Sequence, residues 1–324
     1  MPAIVDTGRS ARAVVRLTPL LMAAAFAGLV ALPIVGDRNM AGFGLRLLEL
    51  MAMTYSLNVI TGFLGYVDFG HVVFYGIGAY ATAVTLAATQ AMIVPLALLV
   101  VPGALAALLF GVLVGYPILR LRGAYFAIAT FSINEAILAV VLNVEALGGS
   151  DGFPLARYAR FELLHVYYVL LAFTVMVAGA SWGILRTRVG LALQAIREDE
   201  DVAEAQAVST VPYKVLTYAL AGAAAAVVGG LVGVAHVLVS PEYFEVSKGI
   251  EQFVIMMIGG PGTALGPLVG SLIYFVIKDS LIIRYPHLHL VFFGVIIVLI
   301  VLFLPAGLVG WLRERSLRLR TMLE

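Results

Sequence analysis

Few residues in this chain are able to do chemistry, and most of them stand in apolar surroundings. Glu135 shares one helical face with Ser132, Ala139 and Leu142 inside an apolar run. Such a carboxylate either lines or gates a wet path, or lies near the end of its run and pairs locally. Asp68 stands among Gly62, Gly65 and Gly70. It either caps a helix that starts near His71 or meets a solute. Asn58 suits a hydrogen bond between helices. His71 and His236 have no partner at ligand spacing, and His287 with His289, in an R-Y-P-H-L-H turn, reads as a chance pair in an exterior loop. No metal site is expected. Lys278 and Asp279 are expected near the exterior end of their helix, where a long side chain reaches the headgroups.

Other chemistry is missing from the sequence. A phosphate-binding loop needs G-x-x-x-x-G-K-[ST], and none of the three lysines (Lys214, Lys248, Lys278) follows such a glycine run. Zinc-protease and kinase signatures do not occur. Cysteine is absent, which removes disulfides, thiolate metal sites and thiol nucleophiles. Lysine and arginine total 20 against 19 acidic residues, so no basic surplus points to nucleic acid. No cofactor is expected, and an energised activity would need its ATPase on another chain.

The elements that position these residues follow from composition. In the 324 residues, 62% are hydrophobic and 12% charged, far from the roughly 25% charge of soluble domains. Continuous apolar runs cover 17–35, 45–65, 71–88, 95–119, 124–144, 163–185, 213–239, 250–258, 265–283 and 290–312. Such runs predict helices, since lipid requires every backbone hydrogen bond to be made internally. The first run follows Arg9, Arg12 and Arg16 and is read as a retained helix that starts in the cytoplasm. Arg120/Arg122, Arg186/Arg188 and the tail Arg313, Arg315, Arg318 and Arg320 all fall inside only if the short run 250–258 and its successor both cross. Trp182 and Trp311 then lie near cytoplasmic helix ends. The expectation is an all-α polytopic membrane protein of about ten transmembrane helices with both termini cytoplasmic. Its segments are residues 1–16, a transmembrane body at 17–312 and a tail at 313–324.

Two segments interrupt the helical pattern in a similar way. Gly62, Gly65 and Gly70 do so early; Gly259, Gly260, Pro261, Gly262, Gly266 and Pro267 do so late. Paired breaks of this kind mark a substrate path in many transporters, or else they are tight hairpin turns. Gly103, Ala107, Gly111 and Gly115, and Gly222, Ala226 and Gly230, form small-residue stripes that let helices approach closely.

The one long polar stretch inside the body is 186–212. Leu193 and Ile196 lie one turn apart, then Arg197-Glu198-Asp199-Glu200-Asp201 interrupts the run. Asp201 and Glu204 have the spacing of a capping box for a second short helix. Two short amphipathic helices with their acidic residues outward form a docking element; a solvated loop is the other reading.

These residues also carry a family resemblance. Arg188-Val-Gly190 followed by ALQAIREDEDVAEA resembles the coupling loop of branched-chain amino-acid ABC transporter permeases. LNVITGFLGYVDFGHVVFYGIGAY (57–80), LRLRGAYFAIATFSINEAI (119–137), LGGSDGF (147–153), MMIGGPGTALGPLVGSLIY (256–274) and FLPAGLVGW (303–311) are similar to that family in the same order. Ala207 stands where the family often has glycine, Ala306 where arginine is frequent, and Leu138 where a basic residue commonly follows.

The resemblance implies the permease subunit of an importer in the bacterial inner membrane. Its partners would be a homologous permease in a heterodimer, two ATP-binding subunits, a periplasmic substrate-binding protein and membrane lipid. Arg188, Gly190, Ile196, Arg197, Glu198, Asp199, Glu200 and Glu204 would shape the ATPase-coupling loop. Asn58, Asp68, Ser132, Glu135, Gly259, Gly260 and Gly262 would lie near the path. Urea or short amides are alternative substrates, and an ion-coupled carrier using Glu135 is the alternative mechanism.

Overall fold

The computed structural model describes residues 17–35, 38–89, 94–155, 161–236, 238–284, 294–295, 298 and 306–315. Arg9, Arg12, Arg16, His287, His289, Arg318 and Arg320, and most of the run 290–312, lie outside the described residues.

The described chain is almost wholly helical. In order it comprises α1 (Leu17–Val35), α2 (Arg38–Leu57) continuing into a π-helical segment (Asn58–Leu64), α3 (Val72–Ala88), α4 (Leu96–Leu99) and α5 (Val101–Ile118). Then follow α6 (Ala124–Asn143), α7 (Leu163–Ile184), α8 (Arg188–Glu198), α9 (Glu200–Ala205) and α10 (Thr210–His236). Last come α11 (Val246–Gly259), α12 (Gly266–Arg284) and α13 (Gly307–Arg315). Six helical stretches among the described residues are long and apolar enough to cross a membrane, and Val72–Ala88 is a shorter apolar helix. One departure from an all-α fold is a two-residue antiparallel pairing, Phe153 with Val239 and Pro154 with Leu238, which ties the loop after α6 to the end of α10.

Small residues decide which helices lie side by side. A side chain at Gly78 would run into the backbone of Ala226, and one at Gly111 would stand 2.7 Å from the Cα of Ala219. Both glycine stripes therefore serve packing of α3, α5 and α10 within one subunit, where lipid supplies no hydrophobic drive. Aromatic residues fill what remains: the Phe74 and Tyr218 rings meet edge to face with centroids 5.1 Å apart, as do Tyr66 and Phe126 at 5.0 Å. Tyr55, Tyr75, Phe126 and Tyr218 are fully buried. By contrast Leu105, Leu109 and Leu113 on α5 face outward, as lipid-facing positions do.

The π-helical segment ends at Gly65, whose φ of +84° turns the chain out of the helix. Its widened turn carries Asn58 and Gly62 to the side where the late glycine segment passes.

Candidate functional site

The two interrupted segments meet each other. The Asn58 side chain spans them, donating from Nδ2 to the Thr263 carbonyl at 3.1 Å and accepting the Gly262 amide on Oδ1 at 2.9 Å. Gly262 has φ +77°, and an added Cβ there would stand 2.8 Å from the Gly62 carbonyl oxygen. Gly260 also has positive φ, +124°, and Gly259 lies against the backbone of Gly266. This is more than a local hairpin turn: the glycines let two distant stretches of backbone touch.

Arg197 joins this contact from outside. Helix α8 starts at Thr187, whose Oγ1 accepts the Gly190 amide at 3.3 Å. Gly190 is packed so closely on Ile184 and Leu185 that any side chain would collide. Gly190, Leu193 and Ile196 form the buried stripe of α8, and one position on, Arg197 donates from Nη1 to the Gly62 carbonyl at 2.5 Å. A Cβ on Gly262 would lie 2.6 Å from the same guanidinium nitrogen. Arg188 and Glu198 remain exposed.

Helix α9 begins two residues before its expected start. Asp199, not Asp201, caps it, accepting the amides of Asp201 at 2.9 Å and Val202 at 3.0 Å. That start turns Ala203 inward and sends Glu200 to the core side rather than outward. Glu200 accepts from Lys214 Nζ at 2.5 Å and from the Tyr66 hydroxyl at 2.8 Å, and Arg122 Nε lies 3.3 Å away. Arg122 also grips Asp201 through both terminal nitrogens, at 2.9 and 3.2 Å. Lys214 is buried and donates in addition to the Leu119 carbonyl at 2.8 Å. Thr210 donates to Glu204 at 2.5 Å, closing the far end of α9. Glu200 and Glu204 are thus seals between α9, the loop after α5 and the start of α10. Sequence reasoning missed Lys214 and Tyr66; the one available signal was a lysine at the mouth of an apolar run.

Electrostatics fix the pH range in which this seal holds. Burial opposes the charge of Glu200, but the hydrogen bonds from Lys214 and Tyr66 and the Arg122 charge outweigh it and hold its carboxyl below the usual value. Asp201, bonded to Arg122, is lowered too. A lowered folded-state pKa contributes stability that is present above the unfolded value, 4.5 for Glu200, and lost as pH falls through the folded one. The protection factors of the α9 amides, taken relative to the intrinsic exchange rate at each pH, are therefore expected to fall on acidification from about pH 6 to about pH 3. Glu200→Gln should flatten that dependence; equal profiles would show that the pair does not seal α9.

After α9 the chain reverses at Ala207, the one non-glycine residue with positive φ (+62°) among the described residues. The Val208 amide reaches back to the Ala203 carbonyl at 3.1 Å, a left-handed helix stop that favours glycine. Left-handed backbone costs an L-residue about 1–2 kcal/mol, against roughly 0.5–1 kcal/mol of extra unfolded-state entropy for glycine. Ala207→Gly is expected to raise stability by roughly 0.5–1 kcal/mol in detergent unfolding.

Asp68 is completely buried. Its Oδ1 accepts the Gly70 amide at 3.0 Å and its Oδ2 meets His71 Nδ1 at 3.2 Å, while His71 Nε2 lies 2.5 Å from Ser56 Oγ. Helix α3 starts at Val72 without a side-chain cap, so Asp68 supports the turn and His71 rather than capping α3. No group of three His, Asp or Glu suited to a metal occurs among the described residues.

On α6 the inward residue is Asn134, whose amide donates to the Phe244 carbonyl at 2.8 Å. Glu135 and Ser132 face away from the chain's own core, amid exposed Tyr125, Ile128 and Phe131; Ser132 Oγ is bonded back to the Ile128 carbonyl at 2.9 Å.

Lys278 pairs with Glu251 across α11 and α12, and both line a charged cavity with Asp279.

Apolar helices of membrane-spanning length, glycine-broken segments in contact and a polar helix pair docked on one end together define a multi-pass α-helical transport protein. A family described as "Branched-chain amino acid transport system / permease component" matches residues 39–301, and the chain belongs to it. It is therefore a branched-chain amino-acid ABC permease by family. The chain is similar to the high-affinity branched-chain amino acid transport system permease protein LivM of Salmonella typhimurium, 26% identical over 88% of this chain and 73% of the relative. LivH of Escherichia coli K12 is 25% identical over 81% of this chain and 90% of its own. The probable branched-chain amino acid transport permease protein LivM of Methanocaldococcus jannaschii is 26% identical over 78% and 84%. No solved structure matches the chain significantly.

Proposed function

We propose that this chain is one of two permease subunits of an inner-membrane importer for branched-chain or related amino acids, fed by a soluble binding protein and driven by two separate ATPase subunits. The observation that carries the reading is Arg197, which links the docked helix pair α8–α9 to both glycine breaks through Gly62 and Gly262. Exposed Arg188, Leu191, Glu198 and Val202 offer an ATPase the outer face of that pair. A push there reaches the glycine breaks through the Arg197 guanidinium, beside the buried Leu193, Ile196 and Ala203.

Glu135 supports the second permease. A charged side chain at mid-bilayer costs about 2.5–3.5 kcal/mol even on lenient scales, and this one faces out of its own subunit. Cover by a homologous neighbour, with a wet path between the two, removes that cost.

Reconstitution tests the reading. Vesicles holding both permeases, the ATPases and the binding protein are expected to accumulate leucine only with ATP. Uptake driven by a proton or sodium gradient through this chain alone would overturn it. Glu135→Gln should leave the ATP requirement intact, whereas a carrier that moves protons on Glu135 would lose its gradient dependence.

A further inference from the structure

At the end of α10 remote from α8 and α9 lies a cavity of about 220 Å³. The 27 residues of α10 place it about 40 Å from the coupling helices, at ~1.5 Å per residue. That volume is small beside the ~300–1,000 Å³ of drug-sized pockets and suits a single metabolite. Three cations, Arg46, Lys248 and Lys278, and three anions, Glu49, Glu251 and Asp279, line it, so the formal charges cancel. Arg46 and Glu49 belong to a stretch apolar and long enough to span the membrane, where ionisable side chains mark functional sites by default.

The charges are not all spent on one another. Lys278 and Glu251 form an ion pair. Arg46 and Lys248 pair with no carboxylate among the described residues; aromatic rings hold them instead. The Arg46 guanidinium stands 4.9 Å over Phe43, and Lys248 Nζ lies 4.8 Å over Tyr243 and 5.2 Å over Tyr75. Those two tyrosines are stacked, with centroids 5.2 Å apart, which makes a rigid seat for the ammonium. Glu49 accepts the Tyr75 hydroxyl at 2.6 Å on one oxygen, and its other oxygen has no hydrogen-bond partner among the described residues. Asp279 makes no ion pair among the described residues. Both signs of charge are thus held in place with bonding capacity left over, beside the apolar walls of Leu50 and Phe275.

We infer that this cavity binds a small zwitterion with an aliphatic side chain, its carboxylate held between Arg46 and Lys248 and its ammonium between Glu49 and Asp279. The assignment rests on the importer reading and deepens it, since it makes the permease itself a point of substrate selection. It also links substrate to coupling: α11 carries Lys248 and Glu251 at one end and Gly259 at the other, where the glycine segment meets Arg197. A zwitterionic lipid headgroup shares the charge pattern, so the test must separate the two.

Equilibrium binding to the purified permease pair in detergent, without binding protein, is measured with L-leucine, isopentylamine, 4-methylpentanoate and O-phosphoethanolamine. Leucine is expected to bind about tenfold or more tightly than either singly charged analogue, because each analogue leaves one set of charged groups unanswered. Lys248→Gln and Asp279→Asn should each weaken leucine by a similar factor, about tenfold. The analogue series needs no variant and so stands even if one fails to fold. Failure of leucine to bind, equal binding of the analogues, indifference to both variants, or preference for O-phosphoethanolamine would each overturn the assignment. Loss of ATP-driven uptake by the unaltered complex would instead strike the importer reading.

Discussion

Lys214→Met is expected to destabilise the protein by about 3–5 kcal/mol, the scale for removing one partner of a buried ion pair. Lys214 is 3% exposed, and its ammonium satisfies three acceptors: the Glu200 carboxylate, the Leu119 carbonyl and the Tyr66 hydroxyl. Methionine fills similar volume, so a packing void does not account for the loss; the cost comes from a stranded carboxylate and carbonyl. Unfolding in detergent, followed by α-helical signal against denaturant, checks the value. Adding Glu200→Gln to Lys214→Met should recover part of it, since a neutral amide is cheaper to bury than an unpaired charge. In a double-mutant cycle the coupling between the two should fall within about 0.5–3 kcal/mol. A Lys214→Met protein as stable as its parent would mean that water reaches Glu200, and that α9 is not fastened there.

Local features of this fold are legible in its sequence, and distant pairings are not, for physical reasons. Apolar runs and glycine spacing are local signals, and among the described residues they located the apolar helices, the helix pair α8–α9 and the two breaks. Asn58 was legible because an amide in an apolar run must find partners, and it found them at Gly262 and Thr263. Partner identity across long separations was not legible. Glu200 was expected to face outward with its acidic neighbours, yet its partner Lys214 lies beyond a chain reversal that hydropathy cannot show. The cap of α9 was misplaced by two residues because Asp199 and Asp201 both precede suitable amides, and only the burial of Ala203 chooses between them. Lys278 reads locally as a side chain that reaches the headgroups, because nothing nearby announces Glu251, which lies on the preceding helix. Glu135 and Asn134 are neighbours pointing about 100° apart on a helix. Which of them turns inward depends on where Phe244 lies.

The largest functional loss is expected from Gly262→Ala, with Arg197→Ala close behind. At Gly262 the backbone has φ +77°, and a methyl group would stand 2.6 Å from the Arg197 guanidinium and 2.8 Å from the Gly62 carbonyl. Both distances are far inside contact, and the Gly62 carbonyl is main chain that cannot rotate away, so the methyl must part the two glycine segments and displace the Arg197 guanidinium from between them. Arg197→Ala attacks the same joint from the other side. It removes a charged hydrogen bond of about 1.5–3 kcal/mol, which shifts the balance between attached and detached hairpin by roughly 10–150-fold. In reconstituted vesicles both variants are expected to keep ATP hydrolysis while substrate uptake falls by about tenfold or more, the signature of a broken link rather than a misfolded subunit. Arg197→Lys should restore a fraction, because a lysine can reach the Gly62 carbonyl but does not offer the planar fork. If uptake and hydrolysis fell together, the node would be structural; if neither fell, force would enter the membrane by another route, of which the Glu200–Lys214 contact is the nearest.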